Sequence, residues 1–152
     1  MTRPPTAPRV VIAGASGFVG RSLTRAFEDD GYDVFTVGRT GSAVWGDAAA
    51  ISRLVDGADV LVNLAGKIVS CRYTDANRDE ILRSRVDTTR ELHAAVAAAA
   101  HPPRVWMNAS TATVYRHETE HGNDEIDGVV GEGFSVDVAT SWERAFFAGD
   151  LP

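Results

Sequence analysis

The chain has 152 residues, 44% of them hydrophobic and 24% charged, a size and balance that allow one globular domain with a real core and exclude a disordered chain. Its formal net charge of −6 excludes a general electrostatic grip on nucleic acid, which needs a basic face, and gives no reason to expect an anionic membrane surface as partner. No apolar run approaches the roughly 20 residues that span a bilayer, and the single cysteine, Cys71, forms no intrachain disulfide and suits a reducing cytoplasm, the expected location.

Met1 to Pro8 holds three prolines and no apolar core of a signal peptide, so residues 1–8 read as an irregular lead-in and the fold starts at residue 9. Arg9 to Ala13 (RVVIA) is a β-branched run closed by Gly14, the pattern of a buried strand. Phe18 to Asp29 carries Phe18, Val19, Leu23, Ala26 and Phe27 at helical spacing, with Gly31 as the stop. Tyr32 to Val37 is a second strand, Ala48 to Val55 a short helix, and Asp59 to Leu64 (DVLVNL) a third strand. Thr74 or Asp75 caps a long helix whose alanine-rich end reaches Ala100, where His101-Pro102-Pro103 stops it. Arg104 to Asn108 is the next strand, and Ser135 or Asp137 opens a last helix to about Ala148. Strands alternating with helices predict an α/β architecture, a doubly wound parallel sheet with right-handed crossovers.

Residues 14–20 read GASGFVG. The glycines follow the first strand and open the first helix, which is the setting that turns a glycine triplet into a phosphate-binding fingerprint. Gly14 turns the chain, Gly17 lets backbone approach a pyrophosphate, and Gly20 packs the helix on the strands. The phosphate would rest on amides at the positive end of the helix dipole, beside Ser16, Phe18 and Val19. In NAD-binding versions an acid near the end of the second strand holds the ribose hydroxyl. Here that end reads Val37-Gly38-Arg39-Thr40, with no acid, and Arg39 suits a 2′-phosphate. NADP is therefore the expected cofactor, with NAD as the second option. Asp47 is placed either to contact the adenine amino group or to cap the helix that begins at Ala48.

The opening VVIAGASGFVGRSL, the NLAG of Asn63 to Gly66 and the STATVY of Ser110 to Tyr115 together resemble extended short-chain dehydrogenases/reductases. Within that superfamily the chain is similar to the atypical NAD(P)-dependent epimerase-family, sugar-nucleotide epimerase-like group, through Asn63 to Gly66, Arg72-Tyr73-Thr74 and Ser84-Arg85. The resemblance implies that Leu64, Ala65 and Gly66 lie along the ribose and nicotinamide side of the cofactor. It also implies that Thr111, with Ser110 as its neighbour and substitute, supplies a hydroxyl to a substrate hydroxyl or carbonyl.

Two features break the family pattern. The superfamily moves protons with Tyr-x-x-x-Lys, whose ammonium lowers the phenol's pKa. This chain has one lysine, Lys67, and none of Tyr32, Tyr73 and Tyr115 has lysine four residues on. The tyrosine position falls near Ser135 and the lysine position near Ala139. Tyr115 reads either as a displaced acid/base or as a partly buried ring. The family is also about twice as long, adding strands and a C-terminal substrate lid. Residues 9–152 thus read as an incomplete NAD(P)-binding domain, a fragment or a naturally short product. Its last strand would present an open edge, a route to a homodimer.

His117-Glu118-Thr119-Glu120-His121 has the H-E-x-x-H spacing of zinc hydrolases, but in a connection rich in glycine and acid, where a solvated loop is the competing reading. The expectation is an NADP(H)-binding protein of the epimerase or short-chain dehydrogenase type, an oxidoreductase or epimerase acting on a carbonyl or sugar-nucleotide substrate. The alternatives are a non-catalytic dinucleotide-binding or scaffolding module and, more remotely, a zinc hydrolase built on His117 and His121.

Overall fold

In the computed structural model, which describes residues 7–149 and 151, the run RVVIA forms strand β1 (Arg9–Ala13). Val10, Val11, Ile12 and Ala13 have no exposed surface. A strand apolar on both faces belongs in the middle of a sheet covered on both sides, and β1 is the middle strand. The sheet runs β3 (Ala43–Val44), β2 (Asp33–Gly38), β1, β4 (Val60–Asn63), β5 (Val105–Asn108), all parallel. Of the lead-in expected over residues 1–8, residues 1–6 lie outside the described part.

Four helices connect the strands: α1 (Phe18–Asp29), α2 (Ala48–Val55), α3 (Asp75–Ala98) and α4 (Phe134–Phe146). On one face, Val11, Ala13, Leu61 and Trp106 pack with Ile51 and Val55 of α2 and with Leu92 and Val96 of α3, and Phe146 of α4 joins from the side. The opposite face is thinner, with Val10, Ile12 and Val62 meeting Leu23 and Phe27 of α1. Each such buried aliphatic side chain contributes about 1.5–3 kcal/mol. Beyond α1, Val105 and Met107 of β5 stand nearly half exposed. They align with Val60 and Val62, so they continue a face that no described helix covers.

Most expected elements form where they were expected, and the differences have local causes. The second strand begins at Asp33, because Tyr32 belongs to the end of α1: its N–H donates to the Phe27 carbonyl at 2.9 Å and its ring meets Phe27 edge-on. Strand β3 is a two-residue pairing, too short to leave a period in the sequence. The third and fourth expected strands lose their ends at Asp59, Leu64 and Arg104. Helix α4 starts at Phe134, without a cap from Ser135 or Asp137. Gly133, at φ +101°, precedes it, and Phe134 is gripped by the Tyr73 ring at 5.4 Å and the Arg78 guanidinium at 4.6 Å. Thr74 caps α3 through Asn77 N–H, as one of the two expected caps.

Candidate functional site

From β1 the chain leaves for β2 on one side, and later returns to β4 on the other. The crevice beyond the carboxyl ends of β1 and β4 is therefore a topological switch point, where open α/β sheets bind ligands. The glycine turn sits there. Gly14 donates its N–H to the Val37 carbonyl at the end of β2, and Leu64 donates to Ala13. The expected residues Gly14, Gly17, Gly20, Leu64 and Ala65 are thus brought together from three strand ends.

The three glycines do different work. Gly14 has φ +81°, and a Cβ there would lie 2.7 Å from the Leu64 carbonyl carbon and 2.9 Å from Ala65 N. At Gly20 a Cβ would run into the Gly14 carbonyl and the Ala15 backbone. Gly17 differs, since only the Gly14 oxygen lies near its missing side chain, at 3.3 Å, leaving open approach from outside. Gly17 is also the N-cap of α1. It offers no side-chain cap, and the first turn of α1 carries no acid. Phe18 is 82% exposed and Val19 53%. An uncapped helix start, free of acid and flanked by bare apolar side chains, is a seat for an anion carried on an apolar body.

The wall on the β4 side is held by a buried polar network. Asn63, fully buried, accepts from Ala65 N–H at 3.1 Å. It donates to Thr89 Oγ1 at 2.9 Å and to Asn108 Oδ1 at 2.7 Å, and Trp142 Nε1 donates to the same Thr89 oxygen at 3.0 Å. One side chain thereby ties β4, α3, β5 and α4 to the backbone at Ala65. The next residues are clasped as well. Lys67 N–H donates to Ser84 Oγ at 2.8 Å, its carbonyl accepts from Arg85 at 3.1 Å, and its ammonium meets Glu80 at 2.5 Å. The Arg85 guanidinium lies flat against Gly66, where a Cβ would come within 2.8 Å of it, and also faces the Trp142 ring at 5.2 Å. Burial pushes the Arg85 pKa down, and the nearby Tyr73 works the other way.

The remaining expected residues are scattered. Arg39 stands exposed in the bend after β2. Of the two roles considered for Asp47, the structure shows the cap: its Oδ1 accepts from Ala50 N–H at 2.9 Å. Thr111 Oγ1 caps the short 3-10 turn Ala112–Val114 by accepting from Thr113 N–H at 3.2 Å, and Ser110 donates to Glu143. Ala139, at the expected lysine position, has no exposed surface, while Ser135 is exposed. Tyr115 is a partly buried ring lying against Gly128 and paired through its backbone with Val130. The helix that H-E-x-x-H requires does not form. The Glu118 carboxylate instead accepts from Glu120 and Thr119 N–H and from Arg116, and these bonds, the backbone pair first, hold it below the usual carboxylate range. Among the described residues no group of three His, Cys, Asp or Glu side chains is placed to hold a metal, so nothing supports a zinc hydrolase.

A groove of about 400 Å³ runs from the glycine turn between α1 and the bend after β2, lined among others by Ser16, Arg21, Arg25, Thr36 and Thr40. The sequence reading missed Arg21 and Arg25; their four-residue spacing, which puts both on one helix face, was the available signal. A larger hollow of about 600 Å³ lies elsewhere, between the ends of α3 and α4, lined mostly by alanine with Arg90 and His93. It has no part in the glycine turn.

Comparison with known proteins bears on this arrangement. Residues 10–130 match the family described as NAD dependent epimerase/dehydratase. Epimerase family protein SDR39U1 of Homo sapiens is 31% identical over 143 residues, 90% of this chain and 48% of that protein. YfhF of Bacillus subtilis, also named an epimerase family protein, is 27% identical over 145 residues, 89% and 48% of the two chains. The crystal structure of human SDR39U1 (isoform 2) with NADPH superposes with a TM-score of 0.82 at 30% identity, covering 95% of this chain and 49% of that one. A nucleoside-diphosphate sugar epimerase from Corynebacterium glutamicum gives 0.72 at 30% identity, covering 93% and 30%. The chain spans about half the length of the curated relatives it matches.

Proposed function

Since the chain belongs to the NAD dependent epimerase/dehydratase family, we propose that it is the dinucleotide-binding part of an epimerase-type protein and that its cofactor is NADP(H), with NAD(H) bound less well. The observation that carries this reading is the turn itself: Gly14 and Gly20 admit no side chain for reasons of packing, whereas Gly17 is left open beside an uncapped, acid-free helix start. A human relative of 30% identity has been crystallised with NADPH. The residues present fit such a group. Gly17, Phe18, Val19 and Gly20 would receive the pyrophosphate, Ser16 and Arg39 the phosphorylated ribose, and Leu64, Ala65 and Gly66 the ribose and nicotinamide side. Asp47 keeps its second carboxylate oxygen for the adenine amino group while the first caps α2. When bound, the cofactor supplies or accepts a hydride. The chain's own residues bind and orient it on a backbone held rigid by Asn63, Ser84 and Arg85.

Of the expected catalytic hydroxyls, Thr111 is the better placed, at the end of the segment after β5, to hold a substrate hydroxyl or carbonyl. The substrate class is a carbonyl compound or sugar nucleotide. A second reading, a dinucleotide-binding module without turnover, is favoured by one observation: Ser110 and Thr111 are both engaged within the chain, and Ala139 is sealed in the core. Calorimetric titration of the chain with NADPH and NADH, repeated on Arg39→Ala, tests the cofactor reading. Tighter NADPH binding that the substitution erases supports it, and silence with both nucleotides ends it. Turnover on a carbonyl panel then separates the two readings. A homodimer through the exposed β5 edge belongs to the same proposal and is tested by light scattering. No described helix is long and apolar enough to cross a membrane, and a cytoplasmic location is proposed with the rest.

A further inference from the structure

We infer that Arg21 and Arg25 of α1 are specificity-determining residues that complete, with Arg39, a three-arginine seat for the 2′-phosphate. The inference rests on the dinucleotide reading and adds to it that the choice between NADP(H) and NAD(H) is made largely by the first helix. Arg21 and Arg25 line the groove that leads from the glycine turn to the end of β2. Four residues apart, they share one helix face. Arg21 spends one N–H on the Ser16 carbonyl, at 2.8 Å, which draws its guanidinium back over the turn and leaves its other donors open.

The charge pattern supports a ligand here. The protein is acidic, at −6, and arginines elsewhere on its surface find carboxylates: Arg83 pairs with Asp79, Arg90 with Asp87, and Arg116 with Glu118. Arg21, Arg25 and Arg39 form no ion pair with a described carboxylate. Glu28 is the one acid lining the groove, one turn beyond Arg25. The opposite wall is a stiff bend. Thr36 and Ser42 exchange backbone-to-hydroxyl bonds at 3.1 and 3.2 Å, and Gly41, at φ +134°, lies so close to Thr36 that a Cβ would touch its hydroxyl. Cations on one side, a rigid polar turn on the other and no acid at the ribose position form a cleft for a compact dianion, and guanidinium forks suit phosphate geometry.

The test is calorimetry with NADPH and NADH on the whole chain carrying Arg25→Ala, Arg21→Ala and the pair, with Arg39→Ala as reference and thermal melting to check the fold. Arg25 makes no backbone contact, so its variant keeps the wild-type melting temperature. The expected result is a loss of about tenfold in NADPH affinity per arginine removed, with NADH affinity within about twofold of wild type, and a deepening loss when Arg39→Ala is added. An unchanged NADPH-to-NADH ratio in Arg21→Ala and Arg25→Ala, with Arg39→Ala still shifting it, overturns the inference and leaves the cofactor reading standing. Equal losses for both nucleotides also overturn it, since the arginines would then hold something common to the two. No binding of either nucleotide by the wild-type chain overturns both together.

Discussion

The two halves of this sheet reach their shape by opposite means. Around β1, α1 and β2 the fold depends on atoms that are missing: Gly14 and Gly20 let backbone lie against backbone, with a Cβ at Gly14 coming within 2.7 Å of Leu64. Around β4, α3, β5 and α4 it depends on atoms that are present: Asn63, Thr89, Asn108 and Trp142 join four elements through buried hydrogen bonds. The first half therefore fails when something is added, and the second when something is taken away. The comparison also separates binding from chemistry. The glycine half has an open, ligand-ready backbone, whereas in the other half the hydroxyls of Ser110 and Thr111 are already engaged.

The largest effect should come from adding atoms to the glycine half. Gly20→Val puts a branched side chain into the Gly14 carbonyl and Ala15 backbone, with no flexible group to give way. The expected cost is about 3 kcal/mol or more, seen as a collapse of the cooperative thermal transition. A stable Gly20→Val protein would mean that the turn can relax and that the contrast between the halves is overstated.

Next comes removal from the polar half. Thr89→Val keeps the shape and deletes the oxygen that accepts from both Asn63 Nδ2 and Trp142 Nε1. Stranding two buried donors should cost about 2–4 kcal/mol in a denaturant melt, and Thr89→Ser, which returns the oxygen, should recover most of it. Equal losses in both variants would assign the cost to packing of the threonine methyl.

A smaller effect on stability is expected where the glycine half is open. Gly17→Ala meets only the Gly14 oxygen at 3.3 Å, so stability should change by less than about 1 kcal/mol. NADPH affinity in the calorimeter should nonetheless fall at least about tenfold. A variant that binds as well as wild type would show that no phosphate approaches at residue 17.

The smallest effect belongs to the acid-rich connection between residues 116 and 133. The Asp124 carboxylate is held below its usual range by the N–H groups of Asp127 and Ile126, and that of Glu118 by those of Glu120 and Thr119. Native pKa values below the unfolded ones mean that this contribution is in place above the ordinary carboxylate range and is lost as the pH falls through the lowered native values. Amide resonances of Ile126 and Asp127 should therefore shift only at that acid end. Asp124→Asn should abolish the titration without moving the global melt.

Much of the fold was legible because its signals are local. The RVVIA run, the spacing of Phe18 to Asp29 and the stop at Gly31 each act within one element, and each formed where expected. The two-residue β3 was not legible, because so short a strand exists only by pairing with Val37 and Gly38. The start of α4 was misplaced because no cap decides it; Phe134 is held by Tyr73 and Arg78, about sixty residues away in the chain. H-E-x-x-H had the right letters, but spacing confers a shared face only on a helix, and the backbone there turns to satisfy Glu118 instead.

By itself, then, the sequence determined the parallel α/β alternation and the position of the glycine turn, because hydrophobic period and glycine stereochemistry act over a few residues. The tertiary structure alone decided that Gly14 lies against Leu64 and Ala65, that Asn63 anchors the opposite wall, and that Arg21 and Arg25 face the end of β2. Those contacts join residues far apart along the chain, and they exist only once burial of the central strand has drawn the strand ends together.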